Sequence, residues 1–119
     1  MPAKSRSSII TKQDPKEHTV PKKPVPPIHP GETLREDFLK PLGLSANRLA
    51  LELRVPVTRV NDIVRGRRAV TADTALRLGR YFRTSPQFWL NLQANYDLEV
   101  AQEAAGERIE NVVRPRPAA

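Results

Sequence analysis

A chain of 119 residues with a formal net charge of +7 and a pI near 10.4 has room for one domain, and its charge points to polyanionic partners, nucleic acid first among them. It contains no cysteine, which excludes disulfides, thiolate metal sites and cysteine nucleophiles. No apolar run approaches the roughly 20 residues needed to cross a bilayer, and the N-terminus lacks the apolar stretch of a secretory signal, so a cytoplasmic protein is expected.

Residues 1–28 hold six of the twelve prolines, and six lysines and arginines against Asp14 and Glu17. Proline removes backbone donors and blocks helix, and few large apolar side chains are available to bury. A flexible, basic, partly polyproline-like arm is expected. It would either track a DNA backbone or order on a protein partner.

From residue 29 to about 105 apolar residues recur at helical spacing, and no window alternates strictly as a half-buried strand does. The spacing predicts five helices. The first covers about Gly31 to Leu39, with Leu34 and Phe38 on one face and Pro41 as its stop. Ser45 caps the second, which turns Leu49, Ala50 and Leu53 inward. The third starts at Pro56 or Val57, buries Val60, Ile63 and Val64, and ends at Gly66. Thr71 caps the fourth, which directs Ala75, Leu76, Leu78 and Phe82 to the core. Ser85-Pro86 opens the fifth, which brings in Phe88, Trp89 and Leu92 and continues towards Tyr96 and Leu98. Residues 106–119 are expected to be a frayed tail. Such helices share one core in an all-α fold.

Ser45 to Arg68 carries the functional signal. Two short helices flank a short turn, and the small Ala50 sits where they must cross, which is the packing of a helix-turn-helix. Removing the inner stripe of the third helix leaves Val57, Thr58, Arg59, Asn61, Asp62 and Arg65 facing out. Arginine can bond bidentately to guanine and asparagine to adenine. Arg67 and Arg68 follow in the loop and suit phosphate contacts. Residues 54–68 contain five arginines and one aspartate, a net of +4. The expected DNA-contacting set is Ser45, Asn47, Arg54, Val57, Thr58, Arg59, Asn61, Asp62, Arg65, Arg67 and Arg68. The plainer alternative is an ordinary solvated face. One short recognition helix covers only a few base pairs, so a dimer is expected, with Trp89, Leu92, Tyr96 and Leu98 as the candidate contact.

Over His29 to Leu98 the chain resembles the HigA/VapI type of antitoxin within the Xre/Cro-like helix-turn-helix group. The blocks that carry the resemblance are His29-Pro30-Gly31-Glu32, Ala50-Leu51-Glu52-Leu53, Asn61 to Gly66, Thr71 to Leu78 and Ser85 to Gln93. The last is the most specific, because general Cro-like regulators lack a Ser-Pro-x-Phe-Trp run. The resemblance implies a protein encoded beside a HigB/RelE-like RNase toxin, which it neutralises, and dimeric repression of the shared operon at a palindromic operator. The chain departs from the pattern in two places. Arg54 stands where the family usually has a turn glycine, and the arm before His29 is longer than usual.

Nothing in the sequence suggests catalysis or a cofactor. His18 and His29 lack a second ligand at metal spacing, and His29 is expected to shape or cap the first helix. Glu32, Glu36 and Asp37 suit an exposed helix opening. Ser45 and Ser85 are caps rather than nucleophiles. A stand-alone repressor and a partner-neutralising protein without DNA binding are the alternatives to an operator-binding antitoxin.

Overall fold

The computed structural model describes residues 26–118, and the expected arm lies outside the described residues apart from its last three positions, Pro26, Pro27 and Ile28. All regular structure among the described residues is helical. The first helix, α1, is built of three consecutive segments, Pro30–Thr33, Leu34–Leu39 and Lys40–Leu42. It is followed by α2 (Ala46–Leu53), α3 (Val57–Val64), α4 (Ala72–Phe82) and α5 (Pro86–Val112).

The helix starts follow from local capping. Ser45, Thr71 and Ser85 all adopt extended backbone, and their hydroxyls accept from the N–H groups of Arg48, Thr74 and Phe88. Each satisfies one donor that the first helical turn leaves without a partner. His29 does the same for α1, its Nδ1 accepting from Gly31 N–H at 2.9 Å.

Pro41 does not stop α1. The middle segment, Leu34–Leu39, is a wider π-helical turn, in which Lys40 N–H reaches back five residues to the Arg35 carbonyl. A proline cannot donate the regular bond four residues back, and a widened turn admits it without breaking the helix. The helix ends instead at Gly43, left-handed with φ 62°, where Leu44 N–H bonds the Leu39 carbonyl at 2.9 Å.

Leu34, Leu39, Leu49, Ala50, Leu53, Val60, Ile63, Val70, Ala75, Leu78 and Trp89 form the core. Phe38 stacks on Phe82 and Trp89 at its edge, with ring centroids 4.8 and 5.0 Å apart. Leu76, expected inside, is exposed. The buried face of α4 is Thr74, Ala75, Leu78 and Gly79, and at about 100° per residue Leu76 points away from it. Buried Gln93 closes the core's polar gap: its Oε1 accepts from Val70 N–H at 2.8 Å and its Nε2 donates to Asp97 at 2.9 Å.

The first helix lies against α3 with almost no spacing. A Cβ on Gly31 would stand 2.7 Å from the Ile63 carbonyl carbon and closer still to its oxygen. Only glycine allows that approach. Above this crossing, the His29 ring sits edge-on to Tyr96 of α5, with centroids 4.9 Å apart.

The tail expected from residue 106 is helical as far as Val112. With 27 residues α5 is about 40 Å long, and its second half runs beyond the core. Leu98, Val100, Ile109 and Val112 are exposed along it, as is Val113 just past its end.

Candidate nucleic-acid interface

The helix-turn-helix is α2, a turn and α3. The turn depends on one unusual residue. Arg54 ends α2 in the left-handed region at φ 61° and ψ 47°, which lets Val55 N–H bond the Ala50 carbonyl at 3.1 Å and swing the chain into α3. A side chain in that conformation costs roughly 1 kcal/mol, which glycine avoids. Pro56 then occupies the N-cap position of α3 with φ −61°, the value its ring imposes, and makes no side-chain cap bond.

Val60 and Ile63 of α3 are buried against the core, at 2% and 1% exposure. The remaining positions face outward or stand half-exposed: Val57, Thr58 and Arg65 are exposed, and Arg59, Asn61 and Asp62 are intermediate. Arg54, Arg67 and Arg68 flank this surface and are exposed, as is Asn47 on the first turn of α2. Every member of the expected outward set is therefore at least partly accessible. Ser45 is also exposed, although its Oγ already accepts from Arg48 N–H at 3.0 Å.

Three of these residues, Asp62, Arg68 and Arg59, form ion pairs within the chain. Asp62 faces Arg68 at 3.7 Å, a loose pair that offsets the one negative charge on α3. Arg59 Nη1 donates to Asp73 Oδ2 at 2.8 Å. Arg77 Nε donates to the same oxygen at 2.9 Å, and Arg77 Nη1 to the Leu53 carbonyl at 2.9 Å. Arg77 first and Arg59 second hold the Asp73 carboxyl below its usual range. A polar strut thus joins the end of α2 and the first turns of α3 and α4. The helical period of α3 singles out Arg59, whereas Asp73 lies on a different helix. The spacing of 14 residues gives no local signal for their pairing.

The far ends of the motif helices are tied down in the same way. Arg35 Nη1 donates to the Val64 carbonyl at 3.3 Å, as Arg77 does to Leu53. These bonds satisfy terminal carbonyls of α3 and α2.

The residues expected to form a dimer contact separate by position. Trp89 is completely buried within the chain, its Nε1 donating to Thr84 Oγ1 at 2.8 Å, and so presents no surface to a partner. Leu92 packs against the core and Tyr96 against His29. Leu98 alone of the four is widely open, at 59% exposure.

No group of histidine, cysteine and carboxylate residues among the described residues is arranged to hold a metal. No helix among them is long and apolar enough to cross a membrane.

The geometry defines a helix-turn-helix protein, and a helix-turn-helix family model matches residues 36–89. Virulence-associated protein I of Dichelobacter nodosus is 57% identical over 82 residues, 69% of this chain and 76% of the relative. The solved structure of the Pseudomonas aeruginosa antitoxin HigA with the higBA promoter is 52% identical, with a TM-score of 0.75, over 76% of this chain and 99% of that one. The structure of antitoxin GraA in complex with its operator is 47% identical, with a TM-score of 0.75, over 82% of this chain and 98% of that one. The chain belongs to the HigA/VapI group of the helix-turn-helix family. Its relatives are antitoxins and transcriptional regulators, not enzymes.

Proposed function

We propose that this chain is the antitoxin of a two-gene module, acting in the cytoplasm as an operator-binding repressor and as the neutraliser of a HigB/RelE-like mRNA-cleaving toxin. The observation that carries the DNA-binding half is the outward face of α3, where Thr58, Arg59, Asn61 and Arg65 stand together beside Arg54, Arg67 and Arg68. In this arrangement α3 enters the major groove, Arg59 and Asn61 meet base edges, and Arg67 and Arg68 meet phosphates. Two neighbours of about 50% identity, solved on a promoter and an operator, support the same use of the fold. The toxin half rests on the likeness to antitoxins.

Operator binding by a two-fold dimer places half-sites about one helical turn apart. The second half of α5 is the surface for a second copy. Leu98, Ala101, Ala105, Ile109 and Val112 recur at spacings of three and four along it, the pattern of a helix–helix seam.

Two measurements test this reading. The chain is titrated against its own promoter by fluorescence anisotropy, and co-expressed with the product of the adjacent gene. Nanomolar promoter binding and rescue of growth are expected. Promoter binding without any neutralised neighbour would make the chain a stand-alone repressor. Neutralisation without promoter binding would overturn the assignment of α3. Leu98→Glu with Ile109→Glu should leave a folded monomer by light scattering, and an intact dimer would remove α5 as the seam.

A further inference from the structure

We propose that Asp73 is a specificity-determining positioning residue, holding the Arg59 guanidinium in one setting so that α3 discriminates a single base pair of its operator. The proposal rests on α3 being the DNA-reading helix.

Asp73 is itself anchored. It stands in the first turn of α4, and Arg77 clamps its Oδ2 while reaching the Leu53 carbonyl at the end of α2. Both helices of the motif are therefore referenced to one carboxylate oxygen. Arg59 meets that oxygen through Nη1 at 2.8 Å and is the least exposed of the three side chains, at 29%. A long arginine free in solvent would have to be ordered on docking, whereas one already held loses less freedom. Its Nε and Nη2 form the second edge of the planar fork, and such an edge matches guanine O6 and N7.

The carboxylate has a second consequence. A negative charge beside the groove-facing helix weakens the general attraction to phosphates, which acts on every sequence alike. Removing it should therefore move two readouts in opposite directions. Affinity for unrelated DNA rises, and discrimination at one base pair falls. Loss of a merely structural contact would lower both, together with the melting temperature.

The test uses the full chain and its own promoter duplex, a panel of single-base-pair variants of that duplex, and an unrelated duplex, at fixed salt. Wild type, Arg59→Ala, Asp73→Ala and the double variant are compared by anisotropy. Arg59→Ala identifies the base pair it reads. Asp73→Ala should lose about tenfold of the preference at that same pair, keep its preferences elsewhere, and bind the unrelated duplex at least as tightly as wild type. The double variant should discriminate no worse than Arg59→Ala alone. Unchanged discrimination in Asp73→Ala, or a loss spread evenly over the panel, overturns the proposal. Wild type that fails to bind the promoter, or Arg59→Ala with every preference intact, overturns the DNA-reading role of α3 or of Arg59 beneath it.

Discussion

Replacing Gly31 by alanine puts one methyl group into the crossing of α1 and α3. The new Cβ would lie 2.7 Å from the Ile63 carbonyl carbon, inside the 3.0 Å that real Cβ atoms respect, and against backbone that cannot rotate away. The two helices must separate, and overpacking of this kind costs about 1–3 kcal/mol and sometimes more. Alanine recovers up to about 1 kcal/mol of helix propensity. Because the clash is with backbone, its cost lies at the upper end of that range, and a net loss of about 2 kcal/mol is expected, or about 8–16 °C in melting temperature for a domain of this size. Gly106→Ala is the control, because a Cβ there meets only Gln102 Cβ at 3.7 Å. It should gain about 0.5–1 kcal/mol. Thermal and urea unfolding followed by circular dichroism, at one protomer concentration because assembly raises apparent stability, reads both. A Gly31→Ala protein as stable as wild type would refute the close crossing.

Arg54→Gly should raise stability by up to about 1 kcal/mol by relieving the left-handed backbone, while lowering operator affinity; a fall in melting temperature would contradict the strain. Arg67→Ala and Arg68→Ala should each weaken binding to all duplexes alike and flatten the salt slope by about 0.9, and a loss confined to the operator would reassign them to base reading. His29 titrates below its ordinary 6.5 in the folded chain, chiefly because burial disfavours its cation, against the opposing charge of Asp97 and a bond with the Arg68 backbone. Protons therefore favour the unfolded chain: the stability this group contributes is complete above about 6.5 and lost as pH falls through the lowered folded value. The drop in melting temperature between about pH 7 and pH 5 should be smaller in His29→Asn, which keeps a capping oxygen that does not titrate; equal drops would remove His29 as the cause.

Interactions that close within a few residues were legible in the sequence. Ser45, Thr71 and Ser85 cap their helices because each hydroxyl needs only the N–H three residues on. The inward stripe of Val60 and Ile63, and with it the outward set of α3, follows from the helical period. The positive φ of Arg54 falls where the resemblance places a turn glycine, so it was legible only through that likeness. Other features required the helices to be placed against one another. Gly31 is obligatory because the Ile63 carbonyl lies behind it, and Arg59 is oriented by Asp73 on a different helix. Trp89, brought inward by the helical stripe, is left no surface for a second copy because Phe38, Phe82 and Thr84 surround it. Pro41 is accommodated because the preceding turn widens, and Leu76 is exposed because the face of α4 that the packing turns inward is Thr74, Ala75, Leu78 and Gly79. A periodic pattern shows that a helix has an apolar side; which residues meet across a crossing depends on the angle and depth of that crossing, and only the tertiary packing sets those.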